Sequence, residues 1–341
     1  MQYQKPNLAA TPQAFNRLAS ASNVALGPLS TLVIGETWIG DTGYNLMVVP
    51  NPTQGFLVMI SPLFETDTFE AVPAPVPNRG GSVGTEQIGA IKYVQTVAEN
   101  VSKNILHEES GMWMNQTLGT ATGPTNYGLQ MVSGEPASDY VTANPIVRSG
   151  TIPHGNTIHA TGVARTFDFS TPQSGNVLPY IAVNNFQNDG ANLQFLPVYA
   201  DNSDPSDLQA AYKTQIAAAL KLINSNLPVE TFINPISLLN AQANNLQSVT
   251  SLAVTTQDNQ GGVINIPFEN AFAGPQAFIC TFMIEEIDNP SFSAVEQSSE
   301  DENPTYYQIQ YLQNIPLLIP KAFNGKDVIF PHWNLNTLIA I

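Results

Sequence analysis

Tyr44-Asn45-Leu46-Met47-Val48-Val49 and Phe56-Leu57-Val58-Met59-Ile60 stand either side of Pro50-Asn51-Pro52-Thr53-Gln54-Gly55. Two short apolar runs separated by Pro, Asn and Gly read as neighbouring β-strands joined by a turn. The same rhythm continues in both directions. Leu32-Val33-Ile34 lies upstream, and Thr66 to Val72 and Ile88 to Thr96 follow. Further strands fit Asn144 to Ile152, Thr157 to Phe169, Gln247 to Thr256, Gln276 to Glu286, Thr305 to Ile319 and Val328 to Ile341. This spacing predicts an all-β sandwich or barrel of antiparallel strands. The loop Val295 to Pro304, with Glu296, Glu300, Asp301 and Glu302, reads as a solvated connection.

Two segments break the β pattern. Thr11 before Pro12 suits an N-cap and a first helical turn, so a short helix is predicted over Pro12 to Ala19. Asp204 and Pro205 open a longer one, in which Leu208, Tyr212, Ile216, Leu220 and Ile223 recur at helical spacing on one face. Asn234 and Pro235 start a second, shorter helix through Ala243. Because β pattern resumes at once afterwards, residues 202–245 are expected to be a helical insertion packed on the β domain.

The composition narrows the function class. Of 341 residues, 43% are hydrophobic and only 11% charged, which describes a globular chain. The 27 acidic residues outnumber 11 scattered basic ones, for a net charge of -16, which disfavours nucleic acid and anionic membranes as partners. No apolar run reaches the roughly 18 residues of a membrane helix and Met1 to Pro6 lacks an apolar signal core, so a cytoplasmic protein is expected. Cys280 is the single cysteine and sits in the apolar run Ala277 to Ile284, which predicts a buried thiol.

Common catalytic signatures are missing. There is no Gly-x-Ser-x-Gly elbow, no Walker loop, no Gly-x-Gly-x-x-Gly and no Glu-x-x-His. The histidines are His107, His154, His159 and His332, and no pair has the helical spacing of a metal site. His332, in Phe330-Pro331-His332-Trp333, is the informative one. A neutral imidazole on a strand near a barrel mouth can coordinate haem iron, although a histidine in such a strand is more often structural.

Ordered motifs bear on that choice. Ile34-Gly35-Glu36-Thr37-Trp38-Ile39-Gly40-Asp41-Thr42-Gly43, after Leu26-Gly27-Pro28-Leu29, is similar to the opening Gly-Thr-Trp-x-Gly-x-Gly strand of the nitrobindins, a haem-binding calycin family. Leu106-His107-Glu108-Glu109-Ser110-Gly111-Met112-Trp113 resembles that family's mid-barrel segment, and Thr151-Ile152-Pro153-His154-Gly155 its next turn. Gln308 to Gln313 and Pro331-His332, with Leu335 and Leu338, resemble its last two strands. The extra residues Glu36 and Asp41-Thr42 predict a bulge in the first strand.

The resemblance implies a calycin-like (nitrobindin or fatty-acid-binding-protein-like) antiparallel β-barrel, with a helical insertion and a short N-terminal helix. Residues 27–341 would form one barrel domain after an N-terminal segment, 1–26. It implies haem b, with His332 as proximal iron ligand, and nitric oxide binding or peroxynitrite isomerisation. Trp38 would then be a barrel-floor residue or a ligand contact, and His107 a structural histidine or a proton shuttle. His159 and Arg165 share one face of a strand and would meet a distal ligand or a propionate only if that face points inward. The partner expected is a small-molecule or gaseous ligand, with a homodimer left open. Two other classes stay open: a haem-free barrel binding an apolar small molecule, suggested by 16 Phe and 11 Tyr, and a structural or assembly protein.

Overall fold

The computed structural model describes residues 26–73, 76–77, 87–115, 144–153, 155–177, 180–181, 187–188, 193–257, 261–288 and 305–341. The helix expected over Pro12 to Ala19, His154 and the acidic loop at 295–304 lie outside the described residues. The strands that organise the chain are β1 (Thr37–Gly40), β2 (Tyr44–Asn51), β3 (Gly55–Ala71), β4 (Gln87–Glu99), β5 (Ile105–Asn115), β6 (Asn144–Ile152) and β7 (Asn156–Gln173). After them come β8 (Leu246–Thr255), β9 (Ile279–Asp288), β10 (Thr305–Asn314), β11 (Leu317–Phe323), β12 (Lys326–Phe330) and β13 (Trp333–Ala340).

These strands close into a 10-strand antiparallel barrel. Neighbours in sequence pair from β3 through β10, β13 pairs with β10, and β1 and β2 together fill the position between β13 and β3. Closure removes the open sheet edges that would otherwise pair with other chains. The bulge expected in the first strand takes the form of a break at residues 41–43 between β1 and β2. Gly40 and Gly43 flank that break because a Cβ there would meet the carbonyl oxygens of Thr337 and Leu335 on β13.

Several expected strands are redrawn. Leu32 to Ile34 is not a strand: Gly27–Val33 is a 3-10 turn, started by Gly27 in the left-handed region (φ 55) and by Pro28 in its first turn. Its Leu29 and Leu32, three residues apart, are both buried and cap one end of the barrel core. The runs at 56–60 and 66–72 are one strand, β3. Conversely, Thr305 to Ile319 and Val328 to Ile341 each split at a proline, Pro316 and Pro331, which has no N–H to continue a ladder. The pieces freed by the splits, β11 and β12, join Val198–Tyr199 and Gly274–Pro275 in a separate four-stranded sheet.

The helical insertion is present as expected. Helix α1 (Ser206–Leu222) begins where the Asp204 carboxylate accepts a hydrogen bond from the Ser206 amide at 3.0 Å. It buries Leu208, Tyr212, Ile216, Ala219 and Leu220. Two short helices follow, α2 (Val229–Ile233), which the pattern did not reveal, and α3 (Ile236–Asn240). No helix among the described residues is long and apolar enough to cross a membrane.

Strand pleating therefore serves two cores. On β13, Trp333 and Leu335 pack outward against Phe195, Phe232 and the insertion, while Leu338 packs inward with Trp38, Trp113, Phe282 and Tyr311. In the outer core the Tyr212 hydroxyl is buried with no hydrogen-bond partner. Tyr212→Phe is expected to raise stability by about 1 kcal/mol, since it deletes a desolvated, unpaired group. A urea titration with an unchanged slope checks this.

Candidate functional site at the barrel mouth

His332 lies in the two-residue gap between β12 and β13, half-buried at the end of the barrel away from the 3-10 turn. Its Nε2 is 3.2 Å from Nδ2 of Asn45 on β2. Burial, aided by charge on His107, pushes its pKa down to about 4, so the imidazole is neutral at physiological pH. A neutral ring carries the lone pair that a metal or a hydrogen-bond donor requires.

His107 reaches the same end from β5. Period-two alternation points His107, Glu109 and Trp113 into the barrel, and His107, 23% exposed, is the outermost of the three. Its Nε2 is 3.4 Å from Glu109 Oε2. Glu109 is fully buried, and its Oε1 accepts hydrogen bonds from Arg148 at 2.9 Å and from the Tyr93 hydroxyl. Burial alone would raise the Glu109 carboxyl, but the Arg148 guanidinium and His107 outweigh it and bring it down to about 2.

Deeper in the barrel lies a buried polar network centred on Arg148. Arg148, on β6, contacts Cys280 on β9 and Gln313 on β10 at 3.3 and 3.4 Å, across the lumen. Gln95 links the guanidinium to Glu65, which also accepts from the Tyr311 hydroxyl at 2.8 Å and Asn336 at 3.0 Å. Rings of Tyr93, Trp113, Phe278 and Phe282 surround the guanidinium within 5.1–5.5 Å. Trp113, Phe278 and Tyr311 are all 0% exposed, so no water-sized void adjoins them.

The network carries more acid than base. Glu65, Asp67 and Glu109 point inward with the single guanidinium of Arg148 among the described residues. Burial raises the Glu65 carboxyl, and burial together with Glu65 raises Asp67 well above the usual carboxylate range. Burial and the neighbouring carboxylate thus both oppose ionisation of this pair. Cys280 is buried and raised to about 12 by desolvation, so the thiol expected to be buried is also unreactive.

The four residues singled out from the sequence do not converge. Trp38 is fully buried at the opposite end, paired with Asp67 and Ala340, with its Nε1 donating to the Leu32 carbonyl at 3.1 Å. Its position is that of a floor residue rather than a contact at the mouth. His159 and Arg165 stand on the outer wall, because Ile158, Ala160 and Ala164 occupy the inward face of β7. His159 is exposed, and the Arg165 guanidinium lies 6.0 Å from the ring of Phe167, which packs on the outer core. His332 alone of the four is at the mouth. Asn45, Glu65, Asp67 and Arg148 belong to no motif in the sequence, and it is barrel closure that gives them a common interior. Glu65 and Asp67, two residues apart between Phe64 and Phe69, were the available signal.

Among the described residues, no group of three or more His, Cys, Asp and Glu side chains could hold a metal ion. No family model matches the chain, and no curated protein matches it. Among solved structures, the crystal structure of Rv2717c from M. tuberculosis is similar over 93% of this chain and 97% of that one, at 12% identity and a TM-score of 0.37. The barrel stands on the strand pairing of this chain itself.

Proposed function

We propose that the barrel binds a small molecule at its mouth with His332 as the donor, and that haem b is the group it takes. The observation that carries this is the neutral, half-buried imidazole of His332, held beside Asn45 at a strand boundary. The donor suits iron: Nε2 carries only the amide of Asn45, a hydrogen bond that coordination would replace. When bound, haem would supply an iron centre able to take nitric oxide or to isomerise peroxynitrite, as the nitrobindin resemblance implies. This chain's residues would hold it by His332, with Asn45 and His107 flanking the donor.

Titrating the purified protein with hemin tests the reading. A Soret band saturating at one equivalent is expected, and it is abolished in His332→Ala while the far-ultraviolet circular dichroism stays that of the parent. A protein that stays colourless with added hemin, or a His332→Ala variant that binds it equally well, overturns the proposal.

A further inference from the structure

Phe268 and Phe272 stand in solvent, although aromatic rings ordinarily supply core area. They lie in and just after one turn of helix, Pro267–Asn270, none of whose residues is buried, and their rings pack edge to face on each other at 5.3 Å. Strand pairing places this turn at the mouth end. Upstream, Gly262–Ile264 pairs with Thr157 to His159 at the start of β7, and a Cβ on Gly155 would come within 2.7 Å of Ile266. Downstream, Gly274 and Pro275 pair with Leu318 and Leu317 on β11, and the Gln276 amide donates to the Pro316 carbonyl at 2.8 Å. Residues 261–278 thus cross the end of the barrel from the hairpin of β6 and β7 to the segment that carries His332. Antiparallel strands alternate ends, so the turn between β4 and β5 opens at this end too and presents Val101 and Ile105. Together Val101, Ile105, Ile264, Ile266, Phe268 and Phe272 are 43% to 87% exposed, and an apolar rim of this extent marks an interaction surface.

Charge selects the partner. Residues 261–284 contain one charged side chain, Glu269, and Lys103 stands exposed between Val101 and Ile105. The chain carries a net charge of -16, so a second copy and an anionic membrane are both repelled. A zwitterionic bilayer is not. It accepts aromatic and aliphatic loop tips at its headgroup boundary and offers phosphate oxygens to a lysine set among them. We propose that the mouth end of the barrel docks on a zwitterionic lipid surface, with Phe268 and Phe272 entering the boundary between headgroups and acyl chains and Lys103 at the level of the phosphates. The inference is independent of the haem reading, since it uses none of the residues placed around a ligand on His332.

Flotation of the full chain with phosphatidylcholine vesicles, without hemin, tests it. The wild type is expected to float with the vesicles, and the double variant Phe268→Ser/Phe272→Ser to bind about tenfold or more weakly. Neither ring is buried, so this variant should keep the parent's far-ultraviolet circular dichroism. Its response to hemin should equal the wild type's whether or not hemin binds, which separates the two readings. Phe268→Trp supplies a second readout: Trp38, Trp113 and Trp333 are buried, so a blue shift of this variant's emission on adding vesicles reports entry at the rim. Adding phosphatidylserine should weaken binding. Absence of flotation, equal flotation of the double variant, or binding that requires phosphatidylserine overturns the proposal. So does a wild-type dimer in sedimentation velocity that the double variant dissociates, which would give this face to a second copy.

Discussion

Replacing Arg148 with methionine is expected to cost the fold about 3–5 kcal/mol, enough to leave little folded protein at 37 °C. The guanidinium is 1% exposed and is the partner of Glu109, a contact of Gln95 and Gln313, and the centre of an aromatic cage. Methionine fills most of that volume, so the loss is electrostatic in origin. It leaves Glu109 buried without its cation, with the buried Asp67 carboxyl near enough to feel its charge. Adding Glu109→Gln to Arg148→Met should recover a large part of the loss, because breaking a buried pair costs more than removing it. Urea titrations of the two single variants and the double variant measure the coupling. An Arg148→Met variant within about 1 kcal/mol of the wild type would mean that water reaches the lumen and the network is not dry.

The second large effect lies on the outer wall. Glu285 is fully buried under the insertion, with Oε2 accepting from Gln308 at 2.6 Å and Oε1 without a partner. Gln308 also reaches the carbonyl of Gln242 at 3.1 Å, which ties the wall to the segment after α3. Desolvation raises the Glu285 carboxyl to about 8, only partly offset by Gln308. Above pH 4.5 the unfolded chain releases this proton while the folded chain keeps it, so stability falls as pH rises from about 4.5 to about 8. At pH 7 the cost is roughly 3 kcal/mol, at 1.36 kcal/mol for each unit between 4.5 and 7. Glu285→Gln should therefore stabilise the protein by about that amount at pH 7 and by little at pH 4. Paired thermal or urea unfolding at the two pH values checks it, and an equal effect at both would show that ionisation is not the cause.

Which parts of the molecule were legible follows a simple rule. Strands such as β6 and β7 and the apolar stripe of α1 were found because burial on one face imposes a period on apolar residues. That rule also produced the errors. It assigns polar strand positions to solvent, and in this barrel Glu65, Asp67, Glu109 and Arg148 point inward. It equally allowed His159 and Arg165 an inward face that Ile158, Ala160 and Ala164 occupy. The prolines at 316 and 331 were visible throughout, but the separate sheet that β11 and β12 enter needs partners at Val198–Tyr199 and Gly274–Pro275, far away in the chain.

By itself the sequence determined that this is an antiparallel β protein carrying a helical insertion; the strand expected over Val328 to Ile341 is interrupted at Pro331, which leaves His332 at a strand boundary. Only the tertiary structure decided what His332 faces. Asn45 and His107 come from strands hundreds of residues away, brought to its end of the barrel by closure. Whether a polar side chain meets water or another charge depends on which strands complete the ring, and that is a property of pairing between distant segments.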